Sequence, residues 1–157
     1  MNDENTNWGQ SAAGVVLRDG KVLLARHTYG KGAGKLIIPG GYVNSGETPQ
    51  DALVREYLEE TGVTVKPMDI IGIRFNMHDW YVVFRAEYVS GTAVSDNDEN
   101  SEVLWIDTDE ALVRDDVPDL TKKMIESAVS ESAGLGQTDY KYSSDAPNYL
   151  YSLKTKG

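Results

Sequence analysis

The stretch PGGYVNSGETPQDALVREYLEETGV, residues 39–63, carries the clearest structural signal in the chain. Thr48 is a suitable helix N-cap, Pro49 fits the first helical position, and the acid three positions after the threonine would complete a capping box. Gly62 suits the position just past a helix C-terminus. The pattern therefore predicts a helix over residues 49–61.

The predicted helix carries charged and apolar side chains on opposite sides. At about 100° per residue, one side groups a basic residue with three acidic ones, namely Arg55, Glu56, Glu59 and Glu60. The opposite arc is apolar and consists of Leu53, Val54, Tyr57 and Leu58. Because neighbouring like charges repel one another, the acidic side has an energetic cost.

Two interpretations of the acidic side compete. In the first, it is the solvated face of a surface helix, which is common for an isolated E-x-x-E-E pattern. In the second, the carboxylates bind Mg²⁺ or Mn²⁺, which take carboxylate, carbonyl and water oxygens as ligands. The Pro39-Gly40-Gly41 turn and the lone Glu47 favour the second, because a glycine-rich loop could fold back and bring its backbone close to a ligand.

Gly41, Glu47 and the run REYLEETGV at residues 55–63 resemble the Nudix box in residue type and spacing. Seven required glycine, glutamate and arginine positions are met, and a chance match in one chain is on the order of one in a million. Tyr57 departs from the family, which usually has an aliphatic residue there. Since Tyr57 falls on the apolar arc, we expect altered packing without loss of chemistry.

The resemblance extends beyond the box. GKLIIPGGYV is similar to the family's strand leading into the box, and EVLW at residues 102–105 is similar to its strand with an acid and a tryptophan. Residues 12–130 follow the layout of the family, whose fold is of the α/β (α+β) class, a mixed β-sheet sandwiched between α-helices. We expect one domain over residues 1–157, in which residues 131–157 form a tail that the resemblance does not cover.

The resemblance implies a divalent metal site. Glu56 and Glu60 would be the main ligands of Mg²⁺, with Mn²⁺ as a substitute. Glu59 and the backbone carbonyl of Gly41 would contribute further oxygens.

Catalytic roles also follow from the resemblance. Arg55 would pair with Glu47 and hold the acidic side chains in position. The general base varies within the family and is either a box glutamate, such as Glu59, or an acid from a distant loop. Glu99 and Glu102 are the loop candidates here. The place of Glu102 just before the VLW strand favours it slightly, and Glu99 stays an open alternative.

A member of this family would cleave the diphosphate linkage of a nucleotide derivative by attack of water on phosphorus. The substrate could be a nucleoside triphosphate, a dinucleoside polyphosphate or a nucleotide sugar. The alternative is a Nudix-like module that binds a nucleotide or sugar nucleotide as a sensor without cleaving it. Such modules usually lack one or more box carboxylates, and this chain has all of them.

Residues outside the box must recognise the rest of the substrate. Tyr42 and Tyr81 could stack on a base, although aromatic residues in strands are more often part of the core. Tyr81 also falls where diadenosine-polyphosphate hydrolases often carry a tyrosine. Lys35, in the glycine-rich segment TYGKGAGK, could meet a terminal phosphate or stay solvated. The two histidines, His27 and His78, are isolated in the sequence and are interpreted as structural or surface residues.

Elements outside the box follow from apolar runs and turn residues. Asp19-Gly20 predicts a hairpin between strands at residues 12–18 and 22–26. Further strands are predicted at residues 36–38, 69–75, 80–88 and 103–107, the first of them stopped by the Pro39-Gly40-Gly41 turn. A short helix capped by Asp107-Thr108 would run to Val113. A last helix from Pro118 to about Val129 would carry Leu120, Met124, Ile125 and Val129 roughly on one apolar face.

The chain has 157 residues, no cysteine and a net charge of −10. The missing cysteines exclude thiolate metal sites and cysteine nucleophiles, and the acidic balance argues against binding to a nucleic-acid duplex. No apolar run reaches the roughly 18–20 residues that span a bilayer, and the polar N-terminus has no signal-peptide pattern. We expect a cytoplasmic protein with a small-molecule nucleotide as its partner and no membrane association.

The tail contains four tyrosines, Tyr140, Tyr142, Tyr149 and Tyr151. It is either loosely packed or forms a strand that packs on the body of the protein or on a second subunit. The last arrangement would make the protein a homodimer.

Overall fold

The fold was obtained as a computed structural model, which describes residues 4–141 and 145–153. The strands are β1 Gly9–Arg18, β2 Lys21–His27, β3 Leu36–Ile37, β4 Gly40–Tyr42, β5 Thr64–Phe75, β6 Asp79–Ser90, β7 Asn100–Asp107, β8 Gly136–Thr138 and β9 Leu150–Ser152. The helices are α1 Pro49–Thr61, α2 Thr108–Ala111 and α3 Asp119–Val129.

The main sheet is mixed and is organised around β1. This strand pairs in parallel with β6 and antiparallel with β4 and, at its end, with β2. β5 lies beyond β6, while β2 also pairs with β3 and β7. The predicted hairpin between β1 and β2 is confirmed, with Leu17 opposite Val22 and with Asp19 and Gly20 both at positive φ, as a tight hairpin turn requires.

Helices cover both faces of the sheet. Successive residues of β1 point to opposite faces, so Ala13 and Val15 pack on the side of α2 and α3, whereas Ala12 and Val16 pack on the side of α1. This alternation follows from the two-residue period of a strand. The apolar runs of the sequence therefore form two core layers, one on each side of the sheet.

Helix α1 has the predicted bounds, and its predicted caps are confirmed. The backbone N–H of Asp51 donates to the Thr48 side chain, and the Asp51 carboxylate accepts from the Thr48 N–H, which together form a capping box. Gly62 ends the helix in the left-handed region with φ of 74°. Leu53 and Tyr57 are buried as expected, but Leu58 is exposed.

The predicted stop at Pro39-Gly40-Gly41 is confirmed, since β3 ends at Ile37, but the sequence did not indicate that Gly40–Tyr42 forms a separate strand, β4, along β1. A side chain at Gly40 would overlap the backbone carbonyl of Ala12. The glycine therefore permits a close strand pairing at a place where the sequence indicated only a turn.

The buried side of α3 also differs from the prediction. Ile125 is buried, but Leu120 and Val129 are exposed. The other buried residues of this helix are Thr121 and Ala128. In α2, the helix ends at Ala111 and not at Val113, and the Asp107 side chain forms no cap.

The described part of the tail packs on the body of the same chain. β8 and β9 pair with each other, and Leu135 exchanges backbone hydrogen bonds with Ile70 of β5. The Tyr151 ring lies edge-on to Phe84, and its hydroxyl accepts a hydrogen bond from Gln50. Tyr142 lies outside the described residues. Among the described residues, no helix is long and apolar enough to cross a lipid bilayer.

Candidate active site

The acidic side of α1 faces a cavity of about 390 Å³. Its walls come from the ends of several strands, the segment before α1 and the loop that precedes β7. The lining residues are Ser11, His27, Tyr29, Ile37, Ile38, Gly40, Gly41, Tyr42, Asn44, Glu56, Glu60, Arg74, Asp79, Tyr81 and Glu99. The cavity therefore brings part of the predicted box together with residues that are distant in sequence.

Three carboxylates converge in this cavity. One oxygen from each of Glu56, Glu60 and Glu99 lies within 4.8 Å of the others. Glu56 and Glu60 are one helical turn apart on α1, so both project to the same side. Glu99 arrives from the loop before β7. Such a cluster of hard oxygen donors is the ligand type that Mg²⁺ and Mn²⁺ prefer.

Glu60 is the most buried member of this cluster. Its side chain belongs to a residue that is only 7% exposed, and its Oε2 atom has no hydrogen-bond partner within the described part of the chain. Burial, followed by the charges of Glu56 and Glu99, raises the pKa of Glu60 to about 8. An unpaired buried carboxylate oxygen is costly, and a bound cation would remove that cost. The donor set therefore fits a divalent metal ion.

Arg55 organises the acidic side chains around this position. It donates to both Glu47 oxygens at 2.6 and 2.9 Å, to Glu56 at 2.8 Å and to Glu59 at 3.3 Å. A further hydrogen bond of 3.1 Å reaches the Tyr42 carbonyl. The guanidinium lowers the pKa of Glu47, so the Arg55–Glu47 pair anticipated from the sequence is present as a charged, two-point contact.

Gly41 lies directly against the carboxylate of Glu56. A Cβ atom at this position would overlap the Glu56 carboxyl group. The absence of a side chain therefore lets the Gly41 backbone approach the acidic cluster, as a carbonyl ligand must.

The two loop candidates for the general base are placed differently. Glu99 lines the cavity, and burial together with the charge of Glu56 raises its pKa. Glu102 instead accepts a 2.9 Å hydrogen bond from Arg26 and does not line the cavity. The geometry favours Glu99, against the slight sequence preference for Glu102. The positions of the two acids differ because β7 begins at Asn100. Glu99 lies in the loop before the strand, whereas Glu102 lies within the strand.

Glu59 lies at the edge of the site. Its side chain is 60% exposed and accepts from Arg55, and it is not one of the three converging carboxylates. Tyr57 packs on the opposite side of α1, where it is fully buried and donates a 2.7 Å hydrogen bond to the carbonyl of Gly14. The tyrosine in place of an aliphatic residue is thus accommodated in the core by one additional hydrogen bond.

The residues suggested for substrate binding are dispersed. Tyr42 lines the cavity and is 68% exposed. Tyr81 also lines it, but the guanidinium of Arg74 lies 5.3 Å from its ring centre. Lys35 is exposed and does not line the cavity.

The lining residues that sequence reasoning missed include His27, Tyr29, Arg74 and Asp79. Arg74 and Asp79 form a 2.6 Å ion pair on neighbouring strands. Strand alternation could have placed Arg74 beside Tyr81, because these two residues are directly opposed. Nothing in the sequence indicates that Arg74 or Asp79 belongs to the site.

A family model described as the NUDIX domain matches residues 9–127. Among curated relatives, an ADP-ribose pyrophosphatase of Methanocaldococcus jannaschii is 38% identical over 60 residues, which are 38% of this chain and 36% of the relative. An NAD-capped RNA hydrolase NudC of Vibrio atlanticus is 31% identical over 124 residues, covering 74% of this chain and 44% of the relative. The matches thus span less than half the length of either relative.

Solved structures of similar fold agree with these matches. A MutT NUDIX hydrolase from Burkholderia pseudomallei has a TM-score of 0.69 at 22% identity, covering 77% of this chain and 98% of that chain. A NUDIX hydrolase from Nitrosomonas europaea has a TM-score of 0.62 at 28% identity, covering 76% of this chain and 87% of that chain. The mixed sheet between helices predicted from the sequence is therefore confirmed.

Proposed function

Because this chain belongs to the NUDIX family, we propose that it is a divalent-metal-dependent pyrophosphohydrolase that cleaves the diphosphate linkage of a nucleotide derivative. The observation that carries the proposal is the convergence of Glu56, Glu60 and Glu99 within 4.8 Å, with an unpaired buried oxygen on Glu60. A solvated helix face would not bury a carboxylate oxygen without a hydrogen-bond partner. The acidic side of α1 is therefore best explained as a cation site.

The charge of the cavity supports a requirement for cations. Among the described residues that line it, Arg74 is the only lysine or arginine, and it is already paired with Asp79. The lining also contains Glu56, Glu60 and Glu99. A diphosphate would meet a net negative wall, so its charge must be balanced by bound metal.

Glu56 and Glu60 would hold the metal ion, with the Gly41 carbonyl as a backbone ligand and Glu59 as an additional oxygen at the exposed edge. We propose Mg²⁺ as the resident ion, with Mn²⁺ as a substitute. When bound, the ion would neutralise phosphate charge, acidify water and orient an in-line attack.

The other residues of the site position groups and accept a proton. Arg55 fixes Glu47 and Glu56 through hydrogen bonds of 2.6 to 2.9 Å, so Glu56 cannot swing away from the cavity. Glu99 would accept the proton of the attacking water at a carboxylate oxygen. Burial and the nearby Glu56 raise the pKa of Glu99, which makes its carboxylate a stronger base.

The substrate class is proposed from chemistry shared by the relatives. Both named activities, ADP-ribose pyrophosphatase and NAD-capped RNA hydrolase, concern a diphosphate joined to a nucleoside. We propose a small nucleotide derivative with such a linkage. Nucleoside triphosphates, dinucleoside polyphosphates and nucleotide sugars are the candidates.

One experiment tests the proposal. The full chain is incubated with a panel of these candidates, with and without Mg²⁺, and release of phosphate or nucleoside monophosphate is measured. Metal-dependent cleavage of at least one compound supports a hydrolase. Tight binding with no cleavage of any compound would contradict it and favour a sensing module.

A further inference from the structure

Two stacked rings form one edge of the carboxylate cavity. The rings of His27 and Tyr29 have centroids 6.0 Å apart and planes inclined by 15°, and both residues line the cavity. Tyr29 is nevertheless 57% exposed. One face of the Tyr29 ring lies towards His27, and the exposed part of the ring is open to a ligand in the cavity.

The backbone holds this ring pair in place. The N–H of His27 donates to the Lys35 carbonyl at 3.0 Å, and its own carbonyl accepts from Gly34 at 2.9 Å, so the loop between them is closed at its base. A side chain at Gly32 would collide with the side chain of Ile37. The glycine-rich segment is thus a loop closed by backbone hydrogen bonds, with Tyr29 near its base.

The same loop is tied to the acidic cluster. Thr28, which lies between His27 and Tyr29 in the sequence, donates its backbone N–H to the Glu99 carbonyl at 3.1 Å. Its hydroxyl donates to the Asp98 carbonyl at 2.7 Å. The backbone that carries the ring pair is therefore tied to the backbone that carries Glu99, and all three side chains line one cavity.

The other aromatic residues of the cavity are less suited to stacking. Tyr81 already has the Arg74 guanidinium over its ring at 5.3 Å. Tyr42 is 68% exposed but has no ring beneath it among the aromatic pairs of the described residues. Burial lowers the pKa of His27, so the support beneath Tyr29 is an uncharged imidazole at neutral pH.

We propose that Tyr29, supported by His27, is the surface on which the nucleobase of the substrate stacks. This inference rests on the proposed function, because it assigns the nucleoside end of the same substrate. Stacking on an uncharged ring pair accepts any base, since every base has an aromatic face. Tyr29 is thus a binding residue for the nucleoside, and it takes no part in the bond cleavage.

The test compares two ligands that differ only in the base. Binding of adenosine 5′-monophosphate and of ribose 5-phosphate to the full chain is measured by calorimetry at one Mg²⁺ concentration and again in EDTA. Neither ligand contains an anhydride, so neither is cleaved. We expect Tyr29→Ala to weaken the nucleotide roughly 5- to 100-fold, as alanine substitution of base-stacking rings does, and to leave ribose 5-phosphate unchanged.

Two variants control for structure. Tyr29→Phe keeps the ring and should bind the nucleotide within about twofold of the parent, because stacking needs the ring and not the hydroxyl. Tyr149→Ala removes an exposed tyrosine that does not line this cavity and should change nothing. Equal loss of both ligands in Tyr29→Ala, or unchanged nucleotide binding, would overturn the inference.

The outcome is separable from that of the hydrolase proposal. One outcome is that the chain cleaves a nucleotide derivative while Tyr29→Ala leaves the KM for that compound unchanged. In that case the stacking proposal is wrong and the hydrolase proposal is supported. If Tyr29-dependent binding of the nucleotide is found but no compound is cleaved, the stacking surface stands and the hydrolase fails.

Discussion

A carboxylate as buried as that of Glu60 must be neutralised by a proton or by a nearby cation. Its neighbours Glu56 and Glu99 are acids and supply no positive charge, and Arg55 bonds to Glu56 and not to Glu60. The fold thus holds a carboxyl group whose charged form is unfavourable in the absence of a ligand. This local instability is what makes the position suited to binding a metal ion.

Replacing Glu60 with glutamine should lower turnover at least about 100-fold, because it removes one charged metal oxygen while keeping the shape of the side chain. The fold should persist, since the amide needs no counter-ion. Turnover of the substrate found in the panel and the circular dichroism spectrum are the measurements.

The matched control for this change is Glu102→Gln, which alters an exposed acid paired with Arg26. Its turnover should stay within about threefold of the parent, because exposed ion pairs contribute little. Near-normal turnover of Glu60→Gln, or an equal loss in both variants, would contradict the metal assignment.

Glu99→Gln should lower kcat by roughly 10²- to 10⁴-fold, the range expected when a general base is removed. Because Glu99 is proposed to accept a proton, the acidic limb of the kcat–pH profile should disappear in this variant. Glu102→Gln should retain that limb. An unchanged pH profile in Glu99→Gln would assign the base to another group.

The raised pKa of Glu60 also predicts how the stability of the metal-free protein depends on pH. Below the ordinary pKa of 4.5, the folded and unfolded chains both carry the proton, and Glu60 has no effect. Between 4.5 and about 8, the unfolded chain loses this proton while the folded chain keeps it. The folded state then binds more protons, so the free energy of unfolding falls as the pH rises through this range.

The loss should amount to at most about 1.4 kcal/mol per pH unit. Urea unfolding in EDTA at several pH values measures it. Glu60→Gln, which cannot ionise, should reduce the slope, and Mg²⁺ should restore stability to the parent protein. A parent and variant with identical slopes would show that Glu60 is ionised without a metal.

At the scale of the element, helix α1 is specified almost completely by local residues. Its first turn is fixed by Thr48 and Asp51, and its end by the left-handed Gly62. Each of these acts on the backbone within a few positions, which is why the bounds of α1 could be predicted from sequence. Strand β4 could not be predicted from sequence, because Gly40 belongs to a strand only through its close contact with β1.

Thr48→Ala should lower the free energy of unfolding by about 1 kcal/mol, since the N–H of Asp51 would lose its acceptor. Urea unfolding of the metal-free protein measures the change. Thr92→Ala, in an exposed loop, serves as the control and should be neutral. A Thr48 variant as stable as the control would mean that the capping box adds nothing to this helix.

At the scale of the whole molecule, the site depends on contacts that sequence spacing does not reveal. Glu56 and Glu60 could be predicted because one helix carries both. Which of Glu99 and Glu102 lines the cavity could not be predicted from sequence. It depends on where β7 begins and on the Arg26 side chain, which pairs with Glu102. His27, Tyr29, Arg74 and Asp79 were missed for the same reason, because several strands and loops that are distant in sequence converge on the cavity.

The interior phenol of Tyr57 limits the alkaline range in which the fold survives. Burial, together with the charge of Glu60, raises the pKa of this hydroxyl, and burial raises that of Tyr81 as well. Above the ordinary value of 10, the unfolded chain releases protons that these two phenols retain when folded, so the native state is progressively disfavoured. Alkaline denaturation, followed through the ultraviolet absorbance of phenolate, should therefore release buried tyrosines in one cooperative step, after the exposed ones have already titrated.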